Sequence, residues 1–291
     1  MNQKQTHSVK FNAVMNILLT ASNMLVSIVT IPYVTRVLSV EGYGDVTFAQ
    51  NVSQWLSAMC LVGVPMYGLR ECARVRDDPR EMARVVRELL AIITIFTAVV
   101  LMCFGVSILV VPRFHRIAAL MWVFLVSTLL LSYGVEWYFQ AIEQYKYITI
   151  RSMVFKMLSL VAMLVFVRDE GDYLAYGVIL ALVVCGNNVL NLVRMLCMVS
   201  FSGLGPMRIG RHLKPLASYA ALSIATSVYL VFDSILLGML SPSNVQVGFY
   251  QLAAKLKNLC NSVVNAIISV LIPRLSYLSL IHISEPTRLR C

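Results

Sequence analysis

Polar side chains recur at helical spacing along two apolar segments near the N-terminus. In the first segment they lie three or four residues apart: Asn12, Asn16, Thr20, Asn23, Ser27 and Thr30. The second segment repeats the pattern with Gln50, Ser53, Gln54 and Ser57. Such spacing places the amides and hydroxyls on one face of an α-helix. Because lipid cannot satisfy these groups, the two faces predict contact with other helices or with water.

Two later segments carry similar faces. One has Ser223, Thr226, Ser227, Asp233 and Ser234, and the other has Asn258, Asn261, Ser262, Asn265 and Ser269. Asp233 lies near the middle of its segment, where a carboxylate costs roughly 2.5–3.5 kcal/mol to insert. We therefore expect Asp233 to face a polar cavity. Four roles stay open for it: a partner for a cation such as Arg36 or Lys255, a Na⁺ or H⁺ site, an acceptor for a hydroxyl group of a ligand, and a hydrogen-bonded packing residue.

The composition is that of a polytopic membrane protein. The chain has 291 residues, of which 59% are hydrophobic and 13% charged, whereas soluble domains average about 25% charged residues. We predict an all-α fold with eight transmembrane helices. Their expected bounds are 12–35, 46–69, 89–111, 117–139, 150–167, 173–198, 216–239 and 247–272.

Lys and Arg are distributed asymmetrically between the predicted loops. Six arginines lie between spans 2 and 3, whereas the opposite side holds only Arg36, Arg113, Arg116 and Arg168. This asymmetry predicts a cytoplasmic N-terminus. The net charge of +10 is thus a signal of topology, and nucleic acid is not an expected partner. The seven cysteines are scattered and predict packing residues, and no metal site or cofactor is expected.

Two charged stretches face the predicted cytoplasmic side. Asp78 and Pro79 predict a helix start, and residues 80–90 are expected to run along the membrane surface as a solvated, topology-setting helix. Glu136 lies at the inner end of span 4, beside a predicted interfacial belt of Trp137, Tyr138 and Phe139. For Glu136 two interpretations stay open: a carboxylate paired with a basic neighbour, or a functional group in ion coupling.

A short repeat suggests that the chain contains two related halves. Residues 31–50 (IPYVTRVLSVEGYGDVTFAQ) and 240–251 (LSPSNVQVGFYQ) share Leu-Ser, a Gly-bearing turn, Gly-aromatic and a Gln that begins an apolar helix. The predicted organisation has a cytoplasmic N-terminus, a six-helix lobe, a cytoplasmic linker, the first two helices of a second lobe and a tail: 1–11, 12–198, 199–215, 216–277 and 278–291. The tail includes LSLIHISEPTR, which resembles a translated sequencing adapter and is expected to be non-native.

Four stretches carry a resemblance to a known family: IPYVTRVLSVEGYG, GLRECARVRDD, GVEWYFQAIEQYKYITIRS and LVFDSILLGMLS. They resemble oligosaccharide flippases, the O-antigen and capsule repeat-unit transporters of the multidrug/oligosaccharidyl-lipid/polysaccharide exporter superfamily. The resemblance implies two six-helix lobes around a central cavity with alternating access in the bacterial inner membrane. It also implies that an undecaprenyl-pyrophosphate-linked oligosaccharide moves from the cytoplasmic to the periplasmic leaflet, without covalent chemistry. The implied partners are this lipid-linked oligosaccharide, membrane lipids and a coupling Na⁺ or H⁺.

The polar faces and the resemblance together predict the lining of the substrate cavity. The expected residues are Asn16, Asn23, Arg36, Gln50, Gln54, Asp233, Lys255, Asn261 and Asn265. Cations for the pyrophosphate are sought among Arg36, Lys156, Lys255 and Lys257, each of which has an equal alternative as an interface anchor.

Two rival functions remain at this point. A cation-coupled multidrug exporter of the same superfamily would need a cavity for cationic, aromatic compounds. A membrane-embedded polysaccharide polymerase or ligase would need a large periplasmic loop, and the predicted outer loops are short. Because the chain supplies only part of a second lobe, we expect residues 1–277 alone not to complement a flippase deletion.

Overall fold

The computed structural model describes residues 9–258, 260 and 261; the side chains described are those of residues 15 and 22 and of residues from 25 onward, except 259. All regular structure in this part of the chain is helical, as predicted. The helices are α1 (Val9–Val37), α2 (Val40–Leu61), α3 (Val64–Arg74), α4 (Pro79–Val110), α5 (Pro112–Arg116), α6 (Ala118–Ser132), α7 (Glu136–Ala141), α8 (Tyr145–Phe166), α9 (Tyr173–Met198) and α10 (Gly210–Leu240). Residues 245–258 are also helical. The chain divides into two units, 1–249 and 250–291.

Within the described residues, α4, α8, α9, α10 and the stretch Ala118–Ala141, which contains α6 and α7, are long and apolar enough to cross a membrane. A sixth span results if α2 and α3 form one bent helix. Helix α4 has an apolar surface of the kind that lipid can cover. Its large exposed side chains are Ile95, Phe96, Val99, Met102, Val106, Leu109 and Val110. The polytopic all-α class is thereby confirmed. The predicted number of eight spans stays a prediction, because the last part of span 8 and most side chains of span 1 before residue 25 lie outside the described part of the chain.

The region after Asp78 differs from its predicted form. The carboxylate of Asp78 accepts hydrogen bonds from the backbone N–H groups of Arg80 and Glu81, at 2.9 and 3.1 Å, so the predicted helix start is confirmed. The predicted solvated surface helix is wrong. Residues 79–110 form one continuous helix, and the first turns of α4 bury Met82, Ala83, Val85, Val86, Glu88 and Leu89.

Two predicted spans are broken. Predicted span 2 breaks where Val62 and Gly63 adopt positive φ values of 48° and 74°, and the axes of α2 and α3 differ by 41°. A side chain at Gly63 would overlap the backbone of Tyr219 on α10. Predicted span 4 breaks between Ser132 and Glu136. Pro32 lies inside α1, which continues to Val37.

The predicted aromatic belt at the inner end of span 4 is also wrong. Trp137, Tyr138 and Phe139 are at most 5% exposed and belong to the apolar core. Gly68 of α3 lies so close to the Trp137 ring that an added Cβ would be 2.8 Å from it. These aromatic side chains therefore pack α7 against α3 inside the protein.

Helix α2 lies at the centre of the bundle, where it contacts α4, α6, α9 and α10. Part of its polar face serves this packing: Ser53 lies 2.7 Å from the Thr128 hydroxyl of α6, and Ser57 donates to the carbonyl of Ser53. The prediction that this face meets other helices or water is therefore confirmed for Ser53, which contacts α6. Short polar side chains let two membrane helices approach closely while their hydroxyls stay satisfied.

The two ends of the bundle are named here by what they contain. The repeat end holds the two copies of the sequence repeat, α5 and the turn before α9. Contacts such as the 2.7 Å hydrogen bond from the Tyr33 hydroxyl to the Val167 carbonyl bring these parts together. The linker end holds the segment 199–209 and the turns before α4 and α8, which are joined by the Arg76–Glu143 ion pair at 2.7 Å.

Candidate functional site

A buried arginine lies among the helices of the first lobe. Arg151 of α8 is 5% exposed. Its Nη2 donates to a Glu136 carboxylate oxygen at 3.0 Å, and its Nε donates to the amide oxygen of Asn187 at 2.6 Å. The Tyr147 ring centre is 5.1 Å from the guanidinium carbon. Nη1 is buried and finds no hydrogen-bond partner among the described residues, so one donor of the guanidinium is left unpaired.

The break in span 4 positions Glu136. Because α6 ends at Ser132, Glu136 begins a new short helix instead of lying within a turn of the old one. Two asparagines of α9 support the break. Asn191 donates to the carbonyl of Gly134 at 2.9 Å, and a Cβ at Gly134 would lie 2.7 Å from the amide oxygen of Asn188. Side chains of a neighbouring helix thus satisfy backbone groups that the break releases.

Lys156 lies five residues after Arg151 on the same helix. Its Nζ is 3.4 Å from the Ser22 hydroxyl of α1, and its side chain is partly buried. The side chain therefore reaches α1. Arg151, Glu136, Asn187 and Lys156 form what we call the Arg151 cluster. It combines two cations with one carboxylate, so its net charge is positive and favours an anionic group.

The predicted cavity residues are only partly described. Gln54 and Arg36 are exposed and Gln50 is partly buried. Asp233 is exposed on α10, and its carboxylate accepts a hydrogen bond of 2.7 Å from the Ser234 backbone N–H. In the second unit, Lys255 is partly buried and Asn261 is exposed. Asn265, the tail from residue 278 and the side chains of Asn16 and Asn23 lie outside the described residues. The cavity-lining role of all these residues stays a prediction.

A second polar cluster lies at the linker end, around a fully buried carboxylate. Glu88 of α4 is 0% exposed. It accepts hydrogen bonds from the Arg208 backbone N–H and from Arg211, both at 2.8 Å, and His212 Nε2 is also 2.8 Å away. His212 is 2% exposed, and its Nδ1 lies 2.8 Å from the Tyr67 hydroxyl. This Glu88 cluster fixes the start of α10 to α3 and α4.

The Glu88 cluster borders a cavity of about 320 Å³. Its wall includes Tyr67, Arg211 and His212, together with Glu71, Arg74, Glu81 and apolar neighbours. Glu81 pairs with Arg211 at 3.0 Å and also with Arg84. Because acidic and basic side chains alternate around the wall and pair with one another, the cavity has no net preference for a charged ligand.

A third polar cluster lies at the repeat end. Arg113 of α5 donates to the carbonyls of Gly238 and Pro242, at 2.8 and 3.0 Å, and to the amide oxygen of Asn244 at 2.7 Å. Asn244 in turn donates to the Asp45 carboxylate at 2.6 Å. Arg116 adds one hydrogen bond of 3.1 Å to the Pro242 carbonyl. Burial, and then the charge of Arg116, lower the pKa of Arg113, which stays protonated at physiological pH.

Few of these residues could be assigned their roles from the sequence. Arg113, Arg151 and Arg211 were counted only as loop or interface charges, and Glu88 and His212 received no role. One signal was available: Glu81 and Glu88 lie seven residues apart, two turns along one face of a helix. Asn187 and Asn191 lie four apart in the same way. Their partners come from distant segments, and a single sequence does not reveal such pairing.

The fold and these clusters define a class: a polytopic α-helical membrane protein with a broken helix, polar groups inside its helical lobe and a short internal repeat. Within that class the chain belongs to the polysaccharide biosynthesis protein family, whose model matches residues 9–279. The resemblance drawn from the sequence is thereby confirmed at the level of the family.

Two curated relatives agree with the family match. The chain is 23% identical over 277 residues to a protein of Escherichia coli (strain K12) and 26% identical over 275 residues to one of Shigella dysenteriae. Each is named "Putative O-antigen transporter". The alignments cover 92% of this chain in both cases, and 65% and 68% of the respective relatives, so the chain spans about two thirds of their length. No solved structure matches the chain.

Proposed function

We propose that the protein moves undecaprenyl-pyrophosphate-linked oligosaccharide repeat units from the cytoplasmic to the periplasmic leaflet of the bacterial inner membrane. It does so by alternating access, as a step in the biosynthesis of a surface polysaccharide. Family membership and the names of the two relatives support a transport role. In this proposal the linker end faces the cytoplasm and the repeat end faces the periplasm, since Lys and Arg are concentrated at the linker end.

The observation that carries the proposal is the buried guanidinium of Arg151 with one unpartnered nitrogen. A buried guanidinium is costly unless it is paired with or binds an anionic group. Guanidinium groups bind phosphate oxygens through directed pairs of N–H donors, so the pyrophosphate of a lipid carrier is a suitable ligand. Glu136 and Asn187 hold the guanidinium in place, and Lys156 supplies a second positive charge on the same helix.

This arrangement argues against the rival exporter of cationic drugs, because two cations against one carboxylate repel a cationic cargo. A coupling Na⁺ or H⁺ would use a carboxylate that is open to solvent. Asp233 is exposed on α10 and the Glu136 side chain is 40% exposed, so these two carboxylates are the candidates. An Asp233→Asn substitution, which keeps size but removes charge, is expected to abolish transport at normal protein abundance.

A chromosomal Arg151→Gln substitution tests the proposal. We expect surface polysaccharide to fall at least about tenfold, because one strong charge-assisted contact to phosphate is worth roughly 1.5–3 kcal/mol. Lipid-linked repeat units should accumulate in the cytoplasmic leaflet at the same time. Both quantities are measured by gel analysis of the surface glycan and by mass spectrometry of extracted lipid-linked sugars.

The matched control is Arg168→Gln, which removes an exposed arginine from the loop before α9. It should leave polysaccharide unchanged, and immunoblots must show equal abundance of both variants in the membrane. Arg151→Lys keeps the charge but loses the planar donor array, so it should fall between the wild type and Arg151→Gln. Wild-type polysaccharide in Arg151→Gln cells would contradict the proposal.

A further inference from the structure

The sequence repeat has no part in the Arg151 cluster, yet its two copies touch each other directly. Gly44 lies in the first copy, and an added Cβ would overlap the carbonyl oxygen of Asn244 in the second. Gly248 lies in the second copy, and a Cβ there would overlap the carbonyl oxygen of Val40 in the first. The contact is therefore reciprocal, and at both points it depends on the absence of a side chain.

Around the glycines, further contacts of the same kind continue along α2 and α10. Gly238 lies against the ring of Phe48, so that a Cβ would overlap that ring. One turn further along α2, Asn51 donates to the Ser234 hydroxyl at 2.9 Å. Together these contacts exclude any space for a sugar between the two helices at the repeat end.

Arg113 reaches this contact from outside both copies. It lies on α5, between α4 and α6, and its three hydrogen bonds all go to residues 238–244. Asn244 in turn donates a hydrogen bond to Asp45 on α2. The Arg113 side chain thus ties the second copy to a helix of the first lobe. Its acceptors are two backbone carbonyls and one amide oxygen, and Arg113 itself is partly exposed, so water can replace these contacts when the helices separate.

We propose that the two copies of the repeat form a gate that closes the repeat end of the transport pathway. In this proposal the hydrogen bonds of Arg113 to residues 238–244, which we call the clasp, hold the gate closed. The proposal rests on the proposed function, since a gate requires a cargo. It goes further by naming the surface that must separate before cargo leaves and the side chain that sets how readily it separates. When these hydrogen bonds break, Arg113 is not left as a buried and unpaired charge. The gate can therefore open in every transport cycle.

Distances across the gate test the clasp without any cargo. Spin labels are placed at Thr35→Cys and Gln246→Cys, two exposed positions of the first and second copy, after Cys103, Cys197, Cys260 and Cys291 have been changed to serine. Electron–electron resonance on the complete protein in nanodiscs then gives the distance distribution. We expect one short distance in the otherwise unchanged protein and an added longer distance in Arg113→Gln.

The size of the effect should follow the number of hydrogen bonds lost. The ratio of short to long distances should fall about tenfold in Arg113→Gln, which loses three, and about twofold in Arg116→Gln, which loses one. A Gly44→Ala substitution should favour the long distance although Arg113 is intact, because the added methyl group occupies the contact. Gly210→Ala, where a Cβ meets nothing within 4 Å, is its control.

The clasp is contradicted if Arg113→Gln and the unchanged protein give the same distances, and the gate is contradicted if Gly44→Ala does so. Size-exclusion profiles must show that each variant is folded and monodisperse. The readout is independent of the proposed function. Altered distances in Arg113→Gln combined with normal polysaccharide in Arg151→Gln cells would overturn the transport assignment of Arg151 and leave the clasp supported.

Discussion

The linker end and the repeat end hold α10 against the first lobe by different chemistry. At the linker end a fully buried carboxylate, Glu88, is surrounded by donors from residues 208–212. At the repeat end Arg113, an arginine in a partly exposed position, binds neutral acceptors of residues 238–244. Both ends use several hydrogen bonds of similar length. They differ in what remains when the bonds are broken.

Separating the linker end would leave Glu88 buried without its counter-charges, which is a costly state. Separating the repeat end breaks the bonds of Arg113 to two carbonyls and an amide, and the bond of that amide to Asp45. Arg113 and Asp45 are both partly exposed already, so water can solvate them. The comparison teaches that burial of the charge, more than the number of hydrogen bonds, decides which end can open. In the proposed transport cycle the linker end of α10 therefore stays attached and its repeat end moves.

The largest effect is expected from Glu88→Gln. Removing one member of a buried ionic group typically destabilises a protein by about 3–5 kcal/mol, because the partner charges stay behind. The midpoint of thermal unfolding in detergent, followed by tryptophan fluorescence, should fall strongly. Glu81→Gln is the matched control: that side chain is 27% exposed and pairs with Arg211, and exposed pairs are worth roughly 0–1 kcal/mol. Equal falls of the unfolding midpoint in the two variants would contradict the conclusion that burial of the charge decides its contribution to stability.

A smaller effect is expected at the break between α2 and α3, which also faces α10. Gly63→Ala places a Cβ at φ 74° and against the backbone of Tyr219. The matched control is Gly203→Ala, which has a similar φ of 69° but meets nothing within 4 Å. Left-handed strain alone costs of order 1–3 kcal/mol, and the two variants share it. A lower unfolding midpoint for Gly63→Ala than for Gly203→Ala measures the close approach, and equal midpoints would show that α10 is not held tightly there.

Asp78 and Glu88 illustrate how far the sequence alone predicted this structure. The helix class and the start of α4 were predictable because they depend on neighbours within a few residues, such as Asp78 and Pro79. The break at Gly63 was missed because it depends on the backbone of Tyr219, more than 150 residues later. Glu88 was missed for the same reason, since its donors lie in the linker. The Arg151 cluster joins α7, α8 and α9, and only their packing brings it together.

Arg113→Gln tests the other side of the comparison. It removes as many hydrogen bonds as Glu88 receives from Arg208, Arg211 and His212, yet we expect the free energy of unfolding to fall by only about 1 kcal/mol, because water replaces the lost contacts. The measurement is the same unfolding midpoint. If Arg113→Gln destabilised the protein as much as Glu88→Gln, the number of hydrogen bonds would decide the outcome and the repeat end would not be the separable one.

The smallest effect is expected for an exposed ion pair at the linker end itself. Arg76 and Glu143 are 2.7 Å apart, and their side chains are 35% and 38% exposed. If the presence of opposite charges alone kept the linker end closed, the Arg76–Glu143 pair would stabilise the protein as much as Glu88 does. Because both groups are hydrated, Arg76→Gln should change the free energy of unfolding by less than about 1 kcal/mol, and 1 M salt should remove the difference.

Glu143 adds a second way to measure the same pair. Its φ is +59°, in the left-handed region where a residue with a side chain is strained by roughly 1–2 kcal/mol relative to its usual conformation. Glu143→Gly loses the ion pair but relieves that strain, so the unfolding midpoint should stay level or rise slightly. A clear fall, together with a loss in Arg76→Gln that persists in 1 M salt, would mean that the exposed pair is strongly coupled. Burial would then not be what separates the two ends of α10.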